Sequence, residues 1–83
     1  MSSPTVALHS GRGVVTGVSA PDGYLELTHD PMPSMKWPTM QMGFSVPNHK
    51  LLEGIGKGDL INFEMRAMPN QDGDFVIERL VRR

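Results

Sequence analysis

The 83-residue sequence contains no cysteine. Disulfide frameworks, thiolate zinc sites and cysteine nucleophiles are therefore excluded, and any soft-metal site has to use methionine sulfur. No run approaches the roughly 20 apolar residues of a membrane span, and no apolar segment of the signal-peptide kind follows Met1. Read literally this is a cytosolic chain. The other reading is that a signal peptide or a larger protein precedes it, and Met1-Ser2-Ser3-Pro4 reads as a linker. A clustered basic face is also missing. The eight Lys and Arg are scattered apart from Arg82-Arg83, and the formal net charge is -1. That argues against a nucleic-acid groove. No nucleophile–base pair or second redox centre can be argued from the residues, so the expectation is a protein that is not an enzyme.

What the sequence does have is a concentration of soft side chains between His29 and Met42. Four of the seven methionines, three of the seven prolines and the single tryptophan fall there, with a histidine at the head. The length allows one compact domain. Residues 1–10 show no sustained period and are expected to form a loose tail, with His9 solvated; residues 11–83 are expected to form the folded domain.

Strand signals begin at Gly13-Val14-Val15-Thr16-Gly17-Val18, whose glycines predict a curved or bulged strand. Pro21-Asp22-Gly23 is a turn, because proline presets one dihedral and glycine accepts positive φ. Tyr24 to His29 then alternates, with Leu25, Leu27 and His29 on one face. Met40 to Val46 alternates again, with Met40, Met42, Phe44 and Val46 on one face. An antiparallel pairing through the proline-rich loop puts His29 beside Met40 and Met42 at one rim of the sheet. Pro47 to Ile55 suits a plug, with Leu51, Leu52 and Ile55 covering an end of the core. Leu60 to Ala67 is a fourth strand with Ile61, Phe63, Met65 and Ala67 on one face. Phe75 to Val81 is a fifth whose inward face the pattern does not determine. Five short strands with a plug after the third predict an all-β, five-stranded barrel of the oligonucleotide/oligosaccharide-binding (OB) type.

Thioether and imidazole donors suit Cu(I) and Ag(I). His29, Met40 and Met42 form a three-coordinate N/S/S set, and Trp37 can set its indole face against the resulting +1 charge. Hard-oxygen ions are disfavoured by this donor set, and zinc or Cu(II) normally want more imidazole, carboxylate or thiolate. Each residue also has a plainer reading: Met40 and Met42 as core filler, His29 as a hydrogen-bonded core residue, Trp37 as packing over a barrel end. Their coincidence at one rim favours the metal site. Met32 and Met35 are either entry ligands or simple loop side chains. Asp30 either orients His29 as an acceptor or only begins the turn before Pro31. Met65 is expected in the core, Met68 near a turn and His49 in solvent.

At these residues the sequence resembles the CusF-like family of periplasmic copper/silver-binding domains. The resemblance rests on His29-Asp30-Pro31, a short loop, Trp37-Pro38, then Met40-x-Met42 followed by Phe44, with Lys57-Gly58-Asp59 leading into the fourth strand. It covers about residues 11 to 81. It implies a five-stranded OB-type barrel in which His29, Met40 and Met42 bind Cu(I) or Ag(I) and Trp37 caps the ion. It also implies a periplasmic setting and, as partners, the components of a heavy-metal efflux pump (adaptor and inner-membrane transporter) or a metallochaperone. Such domains are free carriers or are fused to the C-terminal end of the efflux adaptor, and the linker-like start favours the second. A monomeric domain with no membrane insertion is expected. Met32, Met35 and Lys36 depart from the family pattern. Two other classes remain as alternatives: an OB domain for single-stranded nucleic acid, for which Tyr24 and Trp37 would have to stack outward, and an interaction module whose methionine-rich rim is a protein contact.

Overall fold

The computed structural model of the protein describes residues 8–83. It contains five strands: β1 (Leu8–Ser19), β2 (Tyr24–His29), β3 (Met40–Ser45), β4 (Leu60–Arg66) and β5 (Phe75–Arg82). Short 3-10 turns lie at Pro33–Met35 and His49–Leu52. The strands close into a barrel in the order β1-β2-β3-β5-β4. All neighbours are antiparallel except β3 and β5, which meet in parallel through Phe44 opposite Phe75 and Ser45 opposite Val76. Among the described residues no helix is long and apolar enough to cross a membrane.

The first hairpin closes as its residues demand. Ser19 Oγ donates to Asp22 Oδ2 at 2.6 Å, and Gly23 takes φ of 62°, a value that costs other residues steric strain. The bulge predicted for β1 lies between Val15 and Gly17, where the register against β2 shifts by one residue. A bulge of this kind bends a strand, so β1 can pair with β2 at one end and with β4 along the other.

That second pairing extends β1 back to Leu8, three residues before the expected start of the domain. Leu8, His9 and Ser10 lie opposite Arg66, Met65 and Glu64 of β4. His9 is thus a half-buried strand residue and not part of a solvated tail. Residues 8–10 carry little strand propensity of their own; the ladder supplied by β4 decides their conformation. The rest of the expected tail, residues 1–7, lies outside the described residues.

The core follows the alternations. Leu25, Leu27, Phe44, Val46, Ile61, Phe63 and Met65 are all buried. In β5 both Ile77 and Leu80 are buried, three residues apart, which a regular strand does not allow. The register shift between Glu64 and Met65 explains it: Met65 faces Ile77 but Glu64 faces Arg79, so Glu78 is the extra residue and the phase changes there. Pro47 to Ile55 plugs the barrel end reached by β3 at Ser45. Leu52 is buried, and Leu51 and Ile55 pack against the core. The opposite end of β3, at Met40, is where the proline-rich loop enters.

Candidate metal centre

β2 and β3 run antiparallel with His29 directly opposite Met40 and Leu27 opposite Met42. Residues opposite one another in such a pair have Cβ atoms about 5 Å apart on one face. Met42, two residues on, shares that face and lies diagonal to His29. The sequence pattern therefore placed these three residues correctly relative to one another.

His29 is completely buried. Its Nδ1 lies 2.8 Å from the main-chain carbonyl oxygen of Asp30. A carbonyl can only accept, so Nδ1 carries a proton, and in the neutral form of the ring the lone pair is at Nε2. That Nε2 is buried and has no hydrogen-bond partner. An unmet buried acceptor ordinarily costs about 1–3 kcal/mol. A lone pair held in that way, its tautomer set by a carbonyl, is what a metal-ligating imidazole requires.

The two thioethers differ. Met42 is half-buried and packs against the core, whereas Met40 is half-buried without joining it. Core packing therefore accounts for Met42 in part, and Met40 stands outside that core cluster. Trp37 brings its indole alongside the imidazole, with ring centroids 5.6 Å apart and planes tilted by 32°. Its other flank meets Phe75 of β5 in a T-shaped contact at 4.8 Å. Phe75 thus supports the tryptophan from a strand some forty residues away in sequence, and nothing in the local pattern points to it.

Three neighbouring residues settle as follows. The carboxylate of Asp30 turns outward to Arg12 Nε at 2.9 Å, so the group that orients His29 is the backbone carbonyl of Asp30 and not its side chain. Met32 is buried in the core, only 2% exposed, and is not a loop side chain free to meet an entering ion. Met35 is half-buried at the end of the 3-10 turn and packs against the core. His49 is exposed, as expected, and Met68 is 75% exposed.

Among the described residues no group of three or more His, Asp or Glu side chains is arranged to hold a metal ion. The candidate donors that the strand register brings to this rim are one imidazole and two thioethers. An open groove of about 690 Å³ runs along Arg12, Asn62, Glu64 and Arg79; none of His29, Trp37, Met40 or Met42 lines it.

The model of the family described as copper binding periplasmic protein CusF matches residues 8–82. The chain belongs to this family. The cation efflux system protein CusF of Escherichia coli O157:H7 is 32% identical over 70 residues, which make up 84% of this chain and 64% of the relative. The chain thus spans somewhat under two thirds of the length of the curated relatives it matches. Among solved structures, Ag(I)-bound CusF from Escherichia coli superposes with a TM-score of 0.80 at 23% identity, covering 94% of each chain. The C-terminal domain of SilB from Cupriavidus metallidurans gives 0.75 at 23% identity, covering 93% of this chain and 89% of that domain. At these identities the two likenesses establish the shared all-β barrel.

Proposed function

We propose that the domain binds one Cu(I) or Ag(I) ion through His29 Nε2 and the thioether sulfurs of Met40 and Met42. Trp37 caps the ion by a cation–π contact, and the ion passes to a heavy-metal efflux system in the periplasm. The observation that carries this reading is the buried Nε2 of His29, left without a partner directly opposite Met40. Membership of the CusF family supports the choice of metal and compartment. The strand order and the plug after β3 support assigning the barrel to the OB class.

The donor set explains selectivity and lability together. Imidazole and thioethers are neutral and soft, so they suit monovalent d10 ions and leave the bound ion with its +1 charge. An indole face stabilises that charge by about 0.5–2 kcal/mol and excludes water as a fourth ligand. Because Met40 and Met42 are only half-buried, an incoming donor can bond to the ion as one thioether leaves. Such an exchange changes no oxidation state and needs no proton.

The efflux partner reads the metal-bearing rim. The fold occurs as the C-terminal domain of SilB, and we assign this chain the same place, as the metal-handling module at the C-terminal end of an efflux adaptor. A free periplasmic carrier would use the identical rim. Of the two aromatics that the nucleic-acid alternative needs, Trp37 packs against His29 and Phe75, which leaves that reading only Tyr24, 39% exposed over Gly43.

Titration with Ag(I), followed by heteronuclear NMR and calorimetry, tests the assignment. One equivalent is expected to shift His29, Trp37, Met40 and Met42 selectively. Met40→Ile with Met42→Ile is expected to lower Ag(I) affinity by at least about a hundredfold, a loss of roughly 2.7 kcal/mol. Unchanged affinity in that double variant would overturn the ligand set.

A further inference from the structure

We propose that Met32 is a positioning residue for Trp37, and that Gly11 in β1 provides the slot in which it is anchored. The inference rests on the reading of Trp37 as the cap. It assigns Met32 a role that uses its shape and not its sulfur as a ligand.

Between Asp30 and Thr39, Met32 is the one buried side chain. Its amide donates to the Trp37 carbonyl at 2.9 Å, and the Trp37 amide donates back to the Met32 carbonyl at 3.1 Å. The two residues thus form an isolated antiparallel bridge. Residues directly opposite in such a bridge project their side chains to the same side. The four residues between them turn back on themselves: Lys36 adopts the left-handed region at φ 58° and donates its amide to Pro33 at 3.0 Å. The loop is therefore a short closed ring, and the depth to which Met32 inserts sets the height of Trp37 above His29.

The insertion depends on β1. A Cβ added to Gly11 would lie 2.6 Å from Phe63 Cζ and 3.0 Å from both Cε and Sδ of Met32. The end of the Met32 side chain thus occupies space that any larger residue at position 11 would need. Gly11 is itself paired opposite Phe63, so Met32 reaches from the loop to the contact between β1 and β4. An unbranched thioether against an aromatic ring suits such an irregular slot.

The test uses the tryptophan, which is the only one in the chain. Emission maximum and acrylamide quenching of the metal-free protein are compared with Ag(I) affinity in Met32→Ala, Met32→Leu and Gly11→Ala. Met32→Ala and Gly11→Ala are expected to red-shift the emission, raise quenching, and weaken Ag(I) binding by about tenfold, the scale of a lost cation–π contact. Met32→Leu is expected to keep both at parental values. If Met32→Leu loses as much affinity as Met32→Ala, the sulfur is a ligand and the positioning role is wrong. If Met32→Ala and Gly11→Ala only lower the melting temperature, leaving emission and quenching alone, Met32 is ordinary core. Should Met32→Ala not fold, Met32→Val makes the same comparison. Should the parent fail to bind Ag(I), the metal reading falls, and the fluorescence of the metal-free series still decides whether Met32 places Trp37.

Discussion

The two ends of this barrel are built from the same strands and finished with different chemistry. At the end plugged by residues 47–55, Val46 and Leu52 close the core with aliphatic surface, and among the described residues no buried side-chain nitrogen or oxygen there lacks a partner. At the other end the same inward faces of β2 and β3 finish in His29, Met40 and Met42, and a buried lone pair stays without a partner. Alternation along a strand dictates only which residues point inward. What those residues are decides whether an end stabilises the fold or holds back stability for a ligand. With the metal bound where we propose, stability and binding would be separable, because the plug and the proposed site sit at opposite ends of two short strands.

The sharpest way to probe that separation is to damage the plugged end alone. Leu52→Ala removes a side chain that is 3% exposed and is expected to cost about 2–5 kcal/mol. For a domain of this size total stability is only about 4–12 kcal/mol, so a large fall in denaturant midpoint should follow. Ag(I) affinity measured on the folded fraction should stay within about twofold of the parent, a difference of roughly 0.4 kcal/mol. A matching loss of affinity would mean that the two ends are coupled.

A second substitution should break the separation on purpose. Gly13 lies opposite His29 in the β1–β2 ladder. A Cβ there would fall 2.4 Å from the Thr28 carbonyl oxygen and 2.8 Å from His29 Cα. Both are backbone atoms with no flexible tip to give way. Gly13→Ala is expected to push β1 from β2 at the metal rim, at about 1–3 kcal/mol of stability, and to weaken Ag(I) binding because His29 moves with its strand. Loss of stability with unchanged affinity would show that the His29 ring is held by the Asp30 carbonyl and Trp37 independently of β1.

Much of this rim was legible in the sequence, and the reasons are local. β2 and β3 each bury one face and alternate cleanly, so His29, Met40 and Met42 fall on the inward side by period alone, and the short loop forces them together. The parts that were not legible depend on chain segments far apart in sequence. The start of β1 at Leu8 needs β4 as a partner. The inward face of β5 was obscured because its phase changes at Glu78. Phe75 supports Trp37 across the parallel β3–β5 seam. Met32 sits between two prolines, in a context that reads as loop, and only the missing side chain of Gly11 reveals where it goes. Periodicity reports faces; it does not report how deep a loop residue reaches.

The smallest predicted effect isolates how His29 is oriented. Asp30 touches both worlds: its carbonyl accepts from His29 Nδ1, and its carboxylate pairs with Arg12 on the surface, where the two side chains are 54% and 62% exposed. Exposed ion pairs contribute about 0–1 kcal/mol. Asp30→Asn removes the charge but keeps the carbonyl, so the histidine tautomer and its free Nε2 should be preserved. Stability is expected to fall by less than about 1 kcal/mol, and less still in high salt, with Ag(I) affinity unchanged. A marked loss of affinity in Asp30→Asn, undiminished by salt, would transfer the orienting role from the backbone to the carboxylate. The separation of binding from surface electrostatics would then fail at this one residue.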